Sequence, residues 1–420
     1  MAMSYRELAT RPVLTWCAVV VAARMPVAMA PLALVFVVRE RPGGYTLGAV
    51  LAAVYVIGEV IGAPLLGTRL RPDRPRPHVA VGLAAGAAGF TGLGLLPGAH
   101  PVVLGAFAFL AGFAPASAPG ATRALLTGMV PERAVAQALS LESMLTFIIW
   151  AAAPAIATGL ALGTAPYVPL LLAGALMAVS VAGLWALPAG WQTGPDDLDG
   201  QSTVRLIARA WPVYVTGAAS LSLLALTELI LPALLEQRSI GIGWAGPLLA
   251  GFSIASAVGA FVYGLRGWPG RLPTQSLVLL LGVSAGVTLV AVLPGTVAMG
   301  AALVAAGLLQ APSSLARNLT LREVLPSSAL AAGYSVMYAA VGAGYAATGS
   351  LAGALLRVVA PSTAIMVGVG LTVLLALIGA VGERRMSRLP DASGEAGAAA
   401  KGFAAEGAAV DRRRDTERSL

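Results

Sequence analysis

Twelve long apolar runs govern what this chain can become. They lie at roughly 13–38, 46–68, 79–97, 101–122, 137–161, 166–187, 210–235, 245–265, 275–294, 297–316, 329–355 and 361–382. Each is long enough to cross about 30 Å of hydrocarbon as a helix rising about 1.5 Å per residue. Membrane-spanning strands would show alternating segments of about ten residues instead. These runs are longer and uniformly apolar, so the expected class is an all-α membrane protein with twelve transmembrane helices. Composition agrees: 58% of residues are hydrophobic and 11% are charged, against about 25% charged in soluble domains.

Arginine sets the expected orientation. With the N-terminus in the cytoplasm, the inner side receives Arg6 and Arg11, Arg69 through Arg76, and the basic C-terminal tail. The outer side receives only Arg39, Arg41, Arg238 and Arg357. The positive-inside rule then places both termini in the cytoplasm and requires an even number of spans. The net charge of +8 is read as this topology signal and as attraction to anionic lipid, with no nucleic-acid partner implied. Trp16, Trp185, Trp191, Trp211, Trp244 and Trp268 fall near predicted span ends, as an interfacial belt requires, while Trp150 lies inside span five. No cleavable signal peptide is expected, because Pro31 follows the triplet Ala28-Met29-Ala30. Cys17 is the only cysteine, so no intramolecular disulfide forms. One lysine among the basic residues, with abundant Ala and Gly, points to a GC-rich bacterial genome and to the bacterial inner membrane.

The most polar internal stretch, GWQTGPDDLDGQSTVRL at 190–206, separates spans six and seven. The expected organisation is a six-helix half over 1–187, a cytoplasmic linker over 188–209, a second six-helix half over 210–382, and a disordered tail over 383–420. The halves resemble each other. Gly62-Ala63 recurs 197 residues on as Gly259-Ala260, Gly67 as Gly264, Arg69 as Arg266, and Leu96-Pro97-Gly98 as Leu293-Pro294-Gly295. Ala111-Gly112 matches Ala306-Gly307, and Arg123 matches Arg317. Halves with an even number of spans enter from the same side and are related by an axis along the membrane normal.

Residues 62–78 read GAPLLGTRLRPDRPRPH. Gly62, Gly67, Asp73 and Arg74 in this stretch resemble the signature loop between spans two and three of the major facilitator superfamily, and 264–273, GLRGWPGRLP, echoes it in the second half. In span five, AAAPAIATG at 151–159 is similar to the antiporter signature of that superfamily, with alanine for most glycines. In span eleven, Gly342/Ala346 and Gly349/Gly353 have the small-xxx-small spacing that permits close helix contact. Span four lacks an arginine in LGAFAFLAG at 104–112. The resemblance implies two pseudo-symmetric six-helix bundles that rock about a midplane site, with the loop residues, Arg123 and Glu142 as a cytoplasmic latch.

Charges within a bilayer are costly and face a partner or a cavity. Here they are Arg24 in span one, Glu59 in span two, Glu142 in span five and Glu228 in span seven. Arg24 lies about 17 Å deep at 1.5 Å per residue, within reach of Glu59. The expected arrangement therefore pairs Arg24 with Glu59 and Glu142 with Arg123. Arg24 is also a candidate contact for an anionic or polar substrate group. Glu228 lacks an obvious partner, which makes it the leading proton-carrier candidate. Tyr334, Tyr338 and Tyr345 share one helical face, and with Trp150 they form a candidate binding surface for a flat apolar molecule.

These residues point to a secondary active transporter, monomeric and without a cofactor, that exports a small amphipathic compound, a drug or secondary metabolite, in exchange for protons. An importer or uniporter of a small metabolite is the alternative within that class. A membrane-embedded lipid or prenyl transferase is the rival from another class. It would need clustered Asp, His or Cys, whereas His78 and His100 fall on opposite sides of the membrane and no metal-ligand spacing appears. No GxxxxGK[ST] loop is present for nucleotide-driven pumping. A channel is disfavoured by the two-fold repeat and the lack of a ring of like charges.

Overall fold

A computed structural model describes residues 5–70, 75–188 and 203–386. The described chain is helical. After the short α1 (Tyr5–Leu8), six long spans follow: α2 (Arg11–Val38), α3 (Gly44–Gly67), α4 (Pro75–Leu95), a broken span made of α5 (Pro101–Phe113) and α6 (Ala118–Met129), α7 (Val135–Gly163) and α8 (Val168–Trp185). A short α9 (Thr203–Arg209) lies at the end of the stretch expected as linker. Then come α10 (Trp211–Gln237), α11 (Ala245–Gly264), α12 (Leu272–Val292), α13 (Thr296–Val324), α14 (Ser327–Leu355) and α15 (Pro361–Met386).

Among the described residues, eleven of these segments are long and apolar enough to cross a membrane. The twelfth, α14, is 29 residues long and carries no charged side chain, yet falls short on apolarity. It spends its length on Gly, Ser, Thr and three tyrosines, whose polar atoms are met by protein groups. Spans four and ten run further than their apolar stretches, to Met129 and Val324, because polar residues such as those of SSLARNLTLREV continue the helix past the apolar part. Span four breaks over Ala114–Ser117, beside Pro115 and Pro119. A proline lacks the N–H for the helical ladder and crowds the preceding turn, and at membrane depth such a break is tolerated where protein or a cavity covers it.

Two large hydrophobic clusters form the interior. One draws on Trp16, Tyr55, Phe90, Leu104 and Leu170, between Leu8 and Leu187. The other draws on Phe252, Leu280, Met299 and Ile365, between Ala219 and Ala376. Trp16 departs from the interfacial role expected of it. It is fully buried, and its indole N–H donates to the carbonyl of Thr122 at 2.8 Å. This carbonyl lies on α6, near the break in span four. Trp185, Trp211 and Trp244 are exposed, Trp268 stacks on Tyr263, and Trp191 lies outside the described residues.

The sequence repeat performs the same packing twice. The α-carbon of Gly112 rests against the Tyr55 backbone, and Gly62 against that of Phe113, closing α3 on α5. In the second half Gly307 meets the Phe252 backbone and Gly259 that of Leu308, closing α11 on α13. Tyr55 and Phe252 are themselves 197 positions apart, the spacing of Gly62 and Gly259. In α14 the close approach falls elsewhere than expected. Gly344 lies against the backbone of Ala218 in α10, whereas Gly353 faces open space. Gly112→Val and Gly307→Val are therefore expected to lower stability by at least about 1–3 kcal/mol each, the usual cost of overpacking. Gly159→Val, where a side chain meets no neighbour, should be close to neutral. Thermal unfolding of the purified protein in detergent measures all three.

Candidate functional site

The buried charges converge on Glu142. Its Oε1 accepts Arg24 Nη1 at 2.6 Å and Arg123 Nη2 at 2.7 Å, and its Oε2 accepts Arg123 Nε at 3.0 Å. The carboxylate side chain is 1% exposed, and the two arginines are 12% and 14% exposed. Arg24 thus pairs with Glu142, not with Glu59 as depth alone suggested. The register of α2 on α7 explains this. Ala28 and Met29 pack against Ile149, Ala153 and Ala157. Arg24 lies one turn before Ala28, and Glu142 and Thr146 lie two turns before Ile149 and Ala153 respectively, so the same faces that pack also bring the charges together. Thr146 Oγ1 accepts Arg24 Nη1 at 2.9 Å and donates to the Glu142 carbonyl at 2.9 Å.

Arg123 extends the network into the second half. Its Nη1 donates to Asn318 Oδ1 of α13 at 3.2 Å, and its guanidinium lies 5.4 Å from the ring centre of Tyr334 in α14. The Tyr334 hydroxyl donates to the Asn318 carbonyl at 3.3 Å. One acid thereby organises five helices, α2, α6, α7, α13 and α14. Arg317, the repeat counterpart of Arg123, turns to Ser276 Oγ instead. The glycine scaffold occurs in both halves, and Arg24, Arg123 and Glu142 all come from the first.

Glu59 accepts the hydroxyl of Tyr338 at 3.0 Å, a contact between α3 of the first half and α14 of the second. Glu228, expected without a partner, accepts the hydroxyl of Tyr345 at 2.8 Å, between α10 and α14. The three tyrosines of α14 thus serve separate polar groups. Trp150 is 52% exposed, and no ring contact among the described residues joins it to them. The flat aromatic pocket expected from Trp150, Tyr338 and Tyr345 is not assembled. Asp73 and Arg74 lie outside the described residues. Of the remaining latch residues, Gly62 packs on Phe113 and Gly67 abuts Ser335 of α14.

Ser335 occupies a notch between the halves, since a side chain at Gly67 or at Gly120 would overlap it. Around this notch lie the other contacts between halves. Arg322 donates to both carboxylate oxygens of Glu132, with Nη2 to Oε2 at 2.7 Å. Tyr5 stacks on Phe261 at 4.9 Å between ring centres, and its hydroxyl donates to the Phe261 carbonyl at 3.1 Å. Val135 and Leu139 of α7 cluster with Tyr263, Leu315 and Ala316. All these residues lie toward one end of the bundle, the end of α3 and the start of α14. From Ser328 through Gly342 no residue of α14 is exposed, whereas Ala343, Ala346, Ala347, Ser350 and Gly353 are. The halves close on each other at this end.

Solved transporter structures share this fold. The human organic anion transporter MFSD10 (TETRAN) matches at a TM-score of 0.67 and 13% identity, over 88% of this chain and 99% of that one. A variant of the E. coli fucose:proton symporter FucP matches at 0.67 and 14%, over 90% of this chain and 99% of that one. The chain has the major facilitator fold. A structure of FucP in the outward conformation, described as a major facilitator superfamily transporter, matches at 0.64 and 14% over the same shares. No family profile matches the sequence, and no curated protein matches it significantly.

Several residues of this major facilitator interior were not anticipated from the sequence: Thr146, Asn318, Ser335, Tyr5 and the Glu132–Arg322 pair. Two carried a usable signal. Thr146 follows Glu142 by one helical turn and shares its face, and Asn318 stands beside Arg317, the repeat counterpart of Arg123. Removing the acid at the centre has a clear consequence. Glu142→Gln leaves two buried guanidinium groups without a counter-charge, and is expected to cost about 3–5 kcal/mol. Glu132→Gln breaks a pair whose acid is 79% exposed and is expected to cost less than about 1 kcal/mol. Thermal unfolding in one detergent compares the two.

Proposed function

We propose that this protein is a secondary transporter that works by alternating access and exports a small amphipathic compound with protons as the coupling ion. The observation that carries the reading is one-sided closure: the contacts between halves gather at one end, directly in front of a buried charge cluster. A midplane site between two repeats is opened to alternate sides when such a closure breaks. By the arginine distribution, the closed end faces the cytoplasm and both termini lie there. The fold shared with an organic anion transporter and a fucose:proton symporter supports transport, and the outward conformation of FucP parallels the closed end.

The coupling reading rests on the contrast among the acids. Glu142 is held by two arginines and serves as a fixed counter-charge. Glu59 and Glu228 are each held by a tyrosine hydroxyl, and neither has an ion-pair partner among the described residues. A carboxyl in that setting can gain or lose a proton without abandoning a salt bridge. Glu59 touches the opposite half, so its charge bears on closure. The apolar surroundings favour a substrate with few hydroxyls, because each buried polar group needs a partner.

Accumulation of a mixed panel of dyes and antibiotics in an efflux-deficient bacterial host tests the function. The protein is expected to lower accumulation of at least one compound, and a protonophore, Glu59→Gln or Glu228→Gln is expected to abolish the effect without loss of protein. Increased accumulation would overturn export in favour of import. In a Cys17→Ser background, bridging Glu132→Cys to Arg322→Cys with a short dithiol reagent should stop transport reversibly. Undiminished transport by the fully bridged protein would refute alternating access through this closure.

A further inference from the structure

Two related notches join the halves, and they are filled differently. Gly67 ends α3 and receives Ser335 of α14. Gly264, its counterpart 197 residues on, ends α11 and receives Ser140 of α7. Ser140 and Ser335 are both fully buried. They stand 195 positions apart, the spacing of Ala111-Gly112 and Ala306-Gly307. Each half thus offers a glycine to a serine of the other. At Gly264 a second group shares the notch: an added side chain there would overlap the Tyr5 hydroxyl as well as Ser140.

Tyr5 is carried by α1, which is anchored in the first half. Leu8, at the end of α1, is buried in the cluster that holds Trp16 and Leu187, and two residues link α1 to α2. From this short tether the Tyr5 ring stacks on Phe261 of α11, and its hydroxyl donates to the Phe261 carbonyl at 3.1 Å. That carbonyl lies in the last turn of α11, where helix carbonyls lack an intrahelical partner. The Leu265 N–H, which a continuing helix would bring to it, goes to Val262 instead. Tyr5 therefore caps a helix of the opposite half. The second-half equivalent of α1 is α9, which precedes α10 as α1 precedes α2. Its sequence TVRLIAR holds no aromatic residue, and it packs on α10 and α14 of its own half. An aromatic crossing of this kind is thus built from one side.

We propose that α1 is a strap whose Tyr5 holds the closed end shut, and that it sets the balance between this state and the one opened at the same end. The proposal rests on the alternating-access reading and adds to it an element that the two-fold repeat does not contain. Parting of the halves draws Phe261 away from the Tyr5 ring and uncaps α11, while Leu8 keeps α1 with the first half. Water entering the gap replaces the hydrogen bond nearly in kind, but the ring contact has no such substitute. The aromatic ring therefore carries most of the hold, and the hydroxyl carries less.

The test uses the full-length protein with Cys17→Ser, reconstituted in vesicles, and a reporter thiol at Ser335→Cys. This position lies in the Gly67 notch and reacts with N-ethylmaleimide when the halves part. A second reporter, Ser180→Cys, is buried within the first half and reads general loosening. Tyr5→Ala and Phe261→Ala are each expected to speed labelling at Ser335→Cys by about tenfold, through loss of the stack and the hydrogen bond together. Labelling at Ser180→Cys should stay unchanged. Tyr5→Phe, which keeps the ring, should speed labelling at Ser335→Cys by about threefold or less. The double variant Tyr5→Ala/Phe261→Ala should label no faster than either single variant, because both remove the same contact. Unchanged labelling at Ser335→Cys in both Tyr5→Ala and Phe261→Ala, an equal rise at Ser180→Cys, or additive effects in the double variant would overturn the strap. Faster labelling on loss of Tyr5, in a protein that moves no compound across vesicle membranes, would sustain the strap and overturn the transport reading. Transport accompanied by labelling that is indifferent to Tyr5 and Phe261 would do the reverse.

Discussion

A carboxylate taken out of water has to be neutralised where it lies, and Glu142 meets this demand with two arginines from two other helices. The requirement reaches far because each partner is itself committed. Arg24 fixes how α2 turns toward α7, with the packing of Ala28 and Met29 following the same faces. Arg123 fixes how the second segment of the broken span meets α7, and its remaining donor reaches Asn318 of the opposite half. Attraction between such charges is strong in a low-dielectric interior and their desolvation is costly, so the cluster selects one arrangement of helices more than it adds net stability. The contacts that close one end of the molecule are built in front of this fixed point.

The glycine contacts supply what the charges cannot. Within a membrane, helices gain little from hiding apolar surface from lipid tails, which are equally apolar, and close packing replaces that gain. Gly62 and Gly112 let α3 and α5 meet backbone to backbone, and Gly259 and Gly307 do the same for α11 and α13. The repeat therefore preserves what both halves need, close helix contact, and drops what only one half uses. Arg123 binds an acid and its counterpart Arg317 binds a serine hydroxyl.

The helices were legible in the sequence because hydrocarbon thickness imposes their length, and the glycine repeat because close contact allows no side chain. The candidate residues were legible as well, since charges are scarce in apolar runs. Their partners were not. Depth along a span follows from counting residues, but rotation about the helix axis depends on which neighbour each face packs against, and that decided between Glu59 and Glu142 for Arg24. Trp16 shows the same limit: its place near a span end suggested the interface, while in the core its indole N–H donates to the Thr122 carbonyl. Span four was read as one apolar run although Pro115 and Pro119 break it, because spans tolerate proline and its presence alone does not reveal a break. The helix α14 was legible as the run 329–355, and the tyrosines that make it less apolar than the other spans bond to protein groups.

Two of those tyrosines stand two turns apart on one face and have different obligations. Tyr345 holds Glu228 of α10, in its own half, while Tyr338 holds Glu59 of α3, in the other half. Rocking of one half against the other leaves the first contact intact, because both residues move together. It has to break the second, and with it the seating of Ser335 between Gly67 and Gly120. A carboxylate left at Glu59 would then lose the Tyr338 hydroxyl and keep its charge, whereas a neutral carboxyl loses much less on separation. Under the proposed alternating access, a proton on Glu59 would act on the energy of opening, and a proton on Glu228 would act within one half. A single helix thus holds two acids of similar surroundings, one across the halves and one within its own half.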